Sequence, residues 1–295
     1  MRRFIPGHVR GAVLFLLLLL NLFFWVAFLL PFAIVKIAAP IKIVRIPSDF
    51  ILNFICTRWA NCNRILFQVF LDVKWDIEGD DNLSMKKWYL VLSNHQSWAD
   101  IPVLQYILNN RIPYFRFFLK KELMWIPIFN FVWLALDYPF MKRYSKTFLE
   151  KNPHLKGKDI ETTRKSCEKF RDIPVSVMNF VEGTRFTSEK HKRQQSPFNH
   201  LLRPKAGGVA FVLSAMGEQL SEILDVTIAY QPKALGLWKF FCGEIKEIKV
   251  RVRHIPITPE ILGDYLEDER YQKSFQNWVN TLWLEKDITF KELKN

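Results

Sequence analysis

The period of the hydrophobic positions changes twice in the first quarter of the chain. From Val13 to Val35 run 23 residues with no ionisable side chain, interrupted only by Asn21 and Pro31. A helix of that length exceeds the needs of a core element and matches a hydrocarbon core about 30 Å thick. A secretory leader has a shorter apolar stretch, about 7 to 15 residues, and a small-residue cleavage site, so the segment is expected to remain as an uncleaved anchor. Arg2, Arg3 and Arg10 precede it while Lys36, Lys42 and Arg45 follow. Charge on both flanks gives no orientation, and Pro31 near the end leaves a spanning and a re-entrant path open. Residues 41–72 then space Ile51, Ile55, Trp59, Leu66, Val69 and Phe70 as a helix would, with Arg58 and Arg64 between them. This predicts a second, amphipathic helix lying on the membrane or on the rest of the protein.

Further along, short runs rich in β-branched and aromatic residues alternate with helix-like stretches. Strands are predicted at Trp88 to Leu92, Tyr114 to Leu119, Val175 to Val181, Val226 to Tyr230 and Ile248 to Val252. Helices are predicted at Ile101 to Leu108, Glu122 to Leu136, Asp159 to Arg171 and Gly207 to Met216. Such alternation points to an α/β fold, a sheet flanked by helices on both faces. The expected organisation is an N-terminal membrane-embedded helical region over residues 1–75 and an α/β domain over 76–295. The stretch from Leu123 to Leu136 is apolar nearly all round, which predicts a mainly buried helix with part of one face open to lipid or an acyl chain. Ser188 to Arg203 is polar and basic and reads as a mobile loop beside the site. Residues 236–295 carry little signal beyond the Trp278 to Trp283 stretch.

Charge narrows the choice of partners. The formal net charge is +13, and residues 111–205 hold 20 Lys and Arg against 9 Asp and Glu, so nearly all the excess sits in one third of the chain. Beside an apolar anchor this favours anionic headgroups, which attract each nearby basic residue with about 1 kcal/mol. Nucleic acid is the other usual partner of such charge. The interleaved Trp and Phe argue for lipid and against it. The four cysteines, Cys56, Cys62, Cys167 and Cys242, form no pair at metal-ligand spacing and read as reduced thilos of a cytoplasmic setting.

Candidate chemistry begins at Ser93-Asn94-His95-Gln96-Ser97-Trp98-Ala99-Asp100, directly after a predicted strand. A neutral imidazole held by a carboxylate on one nitrogen can take an alcohol proton on the other. An interval of five does not place two side chains on one face of a continuous helix, so His95 and Asp100 can meet only across a turn. Pro102, tolerated in a first helical turn, supplies one by starting a helix near Asp100. The alternative is a capping role for Asp100, alone or with Ser97, and a structural histidine. A second constellation, Phe180-Val181-Glu182-Gly183-Thr184-Arg185, ends an apolar strand in a turn with a glycine, a hydroxyl and a guanidinium fork suited to an anion. The alternative is a surface turn with a structural Glu–Arg pair. A third, Tyr138-Pro139-Phe140-Met141-Lys142-Arg143, with Lys120 and Lys121 upstream, reads equally as a phosphate contact or a solvated basic face.

Together and in this order, over about residues 85–235, these segments resemble the glycerolipid acyltransferases typified by lysophosphatidic acid acyltransferase (1-acyl-sn-glycerol-3-phosphate acyltransferase). Asn94, His95 and Asp100 match that family's first motif, and Glu182 to Arg185 its third. Phe140, Met141 and Arg143 match the second, preceded by Lys120, Glu122, Leu123 and Pro127, with Asn130 where a glycine is usual. Pro204-Lys205-Ala206-Gly207 approximates a further conserved turn, and Val226 to Tyr230 corresponds to the fourth motif without its internal proline. The resemblance implies a glycerol-phosphate acyltransferase-like mixed sheet and transfer of an acyl group from acyl-CoA or acyl carrier protein to the sn-2 hydroxyl of 1-acylglycerol-3-phosphate. Another lysophospholipid, such as a lysocardiolipin-like acceptor, is the alternative. By the same resemblance His95 is the base and Asp100 its orienting carboxylate. Arg143, Glu182, Gly183, Thr184 and Arg185 hold the acceptor, with Lys120, Lys142 and Lys205 as further contacts. No cofactor or metal is implied, because the thioester is already activated. The expected location is a membrane, a bacterial inner membrane with the α/β domain on its cytoplasmic side.

Overall fold

The computed structural model describes residues 6–117, 119–120, 124–126, 128–138, 140–141, 170, 172–232, 236–265 and 268–294. The N-terminal apolar run forms α1 (Gly7–Ala38), and after three residues the chain returns as α2 (Lys42–Phe70). The two helices pack antiparallel: Asn21 on α1 donates to Asn63 Oδ1 (2.8 Å) and to the Trp59 carbonyl on α2. Near the hairpin's tip Lys36, 5% exposed, bonds to Asp49 Oδ1 and the Ala135 carbonyl, each at 2.5 Å, and to Asp137. A residue that the sequence placed as flanking charge therefore clamps α1 to α2 and to a distant segment. Gly7–Ala38 is long and apolar enough to cross a membrane by length and composition. Much of its apolar surface, including Leu16, Leu20, Phe23 and Phe24, faces outward.

Six strands build the main sheet: β1 (Lys74–Glu78), β2 (Tyr89–Ser93), β3 (Phe115–Phe117), β6 (Ser176–Phe180), β7 (Glu222–Gln231) and β8 (Glu247–Pro256), in the order β1-β8-β7-β2-β6-β3. Every pairing is parallel except β7 with β8. Two short strands, β4 (Leu119–Lys120) and β5 (Phe140–Met141), pair separately. The predicted strand Tyr114 to Leu119 thus divides between two sheets. β1 lay outside the predicted elements; its Trp75 and Ile77 alternate with charged residues on a half-buried edge, too short a run to stand out.

Both faces of the sheet are covered. β2 is buried along its whole length, as strands between two helical layers are. Period-two alternation sends Leu90 and Leu92 to one layer, with α6 (Ala206–Met216) and α8 (Glu269–Lys294). Tyr89 and Val91 point to the other, with α3 (Asp100–Leu108), α7 (Leu237–Phe241) and the end of α2. The silent C-terminal stretch is therefore a core helix: Phe275, Val279, Leu282, Trp283 and Phe290 of α8 sit in the first layer.

Two expectations need correction. Instead of one continuous, mainly buried helix over Glu122 to Leu136 with part of one face open, the described residues form a 3₁₀ turn at 124–125 and a short α4 (Phe129–Ala135). Ile128 at φ 69° breaks the run, and Trp125 is 87% exposed, with Ile126, Phe131 and Leu134 also outward. A branched residue at positive φ cannot continue a helix. The supposed loop Ser188 to Arg203 begins with α5 (Ser188–Gln194), whose N-cap Thr187 accepts from the Lys190 N–H at 3.2 Å. Glu189 in its first turn, basic residues in its last and a left-handed Gln195 at its end favour the helix despite its polarity. Apart from Phe170, the predicted helix Asp159 to Arg171 lies outside the described residues.

Candidate active site

Register brings the two strand-end motifs together. In the β2–β6 ladder Ser93 pairs with Phe180, so the segments beginning at Asn94 and Val181 leave adjacent parallel strands at the same carboxyl edge. That edge is where open α/β sheets gather ligands. Asn94, fully buried, extends the sheet on its other side: its amide donates to the Ile228 carbonyl and accepts from the Ile228 N–H, both at 2.9 Å. This side-chain substitute for a ladder rung fixes the start of the turn.

The turn then doubles back. His95 Nδ1 lies 2.8 Å from Asp100 Oδ2, which also accepts the backbone N–H groups of Gln96 (2.7 Å) and Ser97 (2.9 Å). Tyr230 donates its hydroxyl to Asp100 Oδ1 at 2.5 Å. Asp100 is fully buried at the first position of α3, yet the helix N-cap is Ala99 and carries no side-chain cap bond. The capping reading of Asp100 is thereby corrected: the carboxylate ties down the preceding turn and the imidazole. Facing an acceptor, Nδ1 carries the proton and Nε2 is left as the basic nitrogen. The ring stacks on Phe180 at a centroid distance of 4.0 Å and 14° between planes. An aromatic face so placed steadies the ring's orientation.

The second motif wraps over the first, with the Phe186 N–H donating to the His95 carbonyl at 2.7 Å. Gly183 sits at φ +68°, a conformation that L side chains avoid, and a Cβ there would come within 3.3 Å of Lys205 Cδ and Nζ. Thr184 Oγ1 accepts from Lys190 Nζ at 2.8 Å. Arg185 Cζ lies 4.4 Å from the Trp98 ring centroid, so its guanidinium is stacked across from the first motif. Lys205 precedes α6, is exposed, and donates its N–H to the Val181 carbonyl at 2.9 Å. Thus His95, Asp100, Gly183, Thr184, Arg185 and Lys205 share one edge. Arg143 and Lys142 lie outside the described residues, as does the Lys120 side chain.

Glu182 departs from expectation. It is fully buried and has no surface from which to meet a substrate. Burial pushes its carboxyl well above the usual carboxylate range, and the Asp100 charge adds to this; backbone groups at His95 and Leu202 and the Lys286 ammonium oppose it. Among the described residues neither oxygen has a well-formed hydrogen bond. Held toward its protonated form by burial, Glu182 supports the turn from beneath.

Other residues had not been singled out. Lys286 of α8, itself buried, donates to the Val226 carbonyl (2.6 Å) and pairs with Asp225 Oδ1 (2.8 Å), while Arg253 holds Asp225 Oδ2 at 3.0 Å. This charge cluster anchors β7, the strand that delivers Tyr230. Tyr230 stood in the sequence only as the end of an apolar run, with nothing local to mark its contact with Asp100. Lys286 had no sequence signal, because nothing local marks a lysine as buried.

A mixed α/β sheet with a histidine–carboxylate pair and a guanidinium turn on neighbouring strand ends is a site built for moving a proton beside an anion. The acyltransferase family model matches residues 74–231, more than half of the chain. The chain belongs to the acyltransferase family. An uncharacterised acyltransferase of Saccharomyces cerevisiae is 24% identical over 277 residues, covering 83% of this chain and 68% of that protein. The 1-acyl-sn-glycerol-3-phosphate acyltransferase 3 of Arabidopsis thaliana is 28% identical, covering 62% of this chain and 51% of the relative. The human 1-acyl-sn-glycerol-3-phosphate acyltransferase delta is 26% identical, covering 59% and 44% respectively. The chain therefore spans about half the length of those two relatives. The crystal structure of the lysophosphatidic acid acyltransferase of Thermotoga maritima shares the fold at a TM-score of 0.52 and 15% identity, over 100% of this chain and 98% of that one. The family and fold expected from the motifs are those found.

Proposed function

We propose that the protein transfers an acyl group from acyl-CoA or acyl carrier protein to the sn-2 hydroxyl of 1-acylglycerol-3-phosphate, forming phosphatidic acid. The observation that carries this reading is the 2.8 Å contact between His95 Nδ1 and Asp100 Oδ2, beside a turn bearing Arg185. His95 Nε2 takes the hydroxyl proton as the oxygen bonds to the thioester carbonyl carbon. The tetrahedral intermediate expels the thiolate, which regains that proton from the imidazolium. Asp100 holds the ring in the required tautomer and stabilises the imidazolium while it exists. Arg185 offers a planar fork to the acceptor phosphate, with Lys205 nearby and Arg143, Lys142 and Lys120 as further contacts. Gly183 and Thr184 shape the turn. The scheme calls for no cofactor or metal, since the thioester supplies the activated acyl group.

The outward apolar face of α1 and the basic third of the chain support work at an anionic membrane surface. Free thiols at Cys56 and Cys62 on α2 and at Cys242 in the α/β domain fit a cytoplasmic setting. The named relatives come from yeast, a plant, an animal and a bacterium, so the reading commits to a membrane without assigning which one. Purified protein is assayed against a panel of lysophospholipids with acyl-CoA and acyl carrier protein donors. Turnover of 1-acylglycerol-3-phosphate above the others is expected. Turnover of another lysolipid with none of this one would replace the acceptor.

A further inference from the structure

The site has a third member that the proton-transfer scheme above does not use. Tyr230 is 1% exposed, lies on β7, and donates at 2.5 Å to Asp100 Oδ1 at the start of α3. Asp100 Oδ2 is occupied by His95 Nδ1 and two backbone N–H groups, all within 2.9 Å. Without Tyr230, the carboxylate plane would be held only by the contacts at Oδ2. With it, each oxygen has its own donors and the carboxylate plane is fixed. We propose that Tyr230 is a positioning residue for the candidate base: through its hydroxyl it fixes the Asp100 carboxylate against His95 and moderates the negative charge that His95 meets.

Several observations support this assignment. Tyr230 cannot escape its role, because the β7–β2 register (Ser93 with Val226) and the Asn94–Ile228 pair lock the strand beside the turn. Below it the Lys286–Asp225–Arg253 cluster holds the start of the same segment. Burial, with the Asp100 charge adding to it, holds the phenol well above its usual range, so it stays a donor. The titratable groups around Asp100 are His95 on the turn, Tyr230 on β7 and the buried Glu182 beyond β6.

A donor that shares the carboxylate's charge lowers the negative potential at the imidazole; removing it makes the protonated ring easier to form. The inference rests on the functional reading for its kinetic consequence and on geometry alone for its spectroscopic one. The His95 ring is therefore titrated by NMR in the full-length protein, assigned with His95→Gln. Tyr230→Phe is expected to move its titration midpoint upward, and 3-fluorotyrosine at position 230, a stronger donor of the same shape, to move it downward. Neither shift requires turnover, so an inactive protein refutes the acyl-transfer reading without touching this test. In the active protein Tyr230→Phe lowers kcat about tenfold with both KM values unchanged, the scale of a lost hydrogen bond to a charged group. In an Asp100→Asn background the same change has no further effect. An unmoved midpoint in both Tyr230 variants, or a tenfold loss repeated in the double variant, overturns the proposal.

Discussion

Replacing Asp100 by Asn isolates the charge of the candidate pair from its geometry. Oδ2 of Asp100 accepts the His95 ring and the N–H groups of Gln96 and Ser97. An asparagine can satisfy all three only by placing its carbonyl oxygen there. Its NH₂ group then faces Tyr230, whose hydroxyl can accept instead of donate. The tautomer of His95 and the turn survive, and the lost quantity is the attraction between carboxylate and imidazolium. At a charge separation of about 4 Å and an effective dielectric of about 20, this attraction is about 4 kcal/mol, a ceiling near a thousandfold in rate. The amide dipole retains part of it, so kcat should fall about 10²- to 10³-fold with both KM values unchanged. The acid limb of the pH profile should move to lower pH, since an imidazole without its carboxylate gives up its proton more readily. The assay follows thiol release from acyl-CoA on the purified protein, with thermal unfolding as the check on structure. A kcat within about threefold of the parent, on protein that melts normally, would refute the role given to Asp100.

Other consequences follow from the second motif. Arg185→Lys should raise KM for the phosphorylated acceptor far more than for the acyl donor, because an ammonium cannot reproduce a bidentate fork or the stack on Trp98; equal effects on both substrates would count against it. Gly183→Ala forces a side chain into the left-handed region at φ +68° against Lys205, costing about 1 to 2 kcal/mol and lowering the melting temperature by about 2 to 8 °C. An unchanged melting temperature would remove the strain argument. Glu182, whose proton affinity is raised by folding, makes stability fall as pH rises above about 4.5, because the unfolded chain ionises first. Glu182→Gln should therefore gain on the parent in unfolding experiments as pH rises above about 5, and a gain independent of pH would contradict a buried carboxyl held above its usual range.

What the sequence disclosed was local. His95 and Asp100 lie five positions apart with Pro102 setting the turn, and the helix does begin at Asp100. The Glu182 to Arg185 turn was equally visible, because a glycine and an arginine end an apolar strand. Tyr230 was hidden: its contact with Asp100 spans 130 positions and depends on β7 lying beside β2, which no local spacing encodes. Lys286 was hidden for the same reason, its burial being a property of how α8 docks. The burial of Glu182 was not legible, because a charged residue at a strand end ordinarily faces solvent, whereas this one turns under the motif. In α5 composition misled: a polar, basic run looked like a loop although Thr187 supplied a cap.

The central claim is that His95 accepts the proton of the attacking hydroxyl, and its direct test is acyl transfer by His95→Ala at saturating substrates. The account predicts a fall in kcat of about 10²- to 10⁴-fold, the scale of general acid–base catalysis, with lysolipid binding retained. Transfer at the parent rate by folded His95→Ala protein would contradict it.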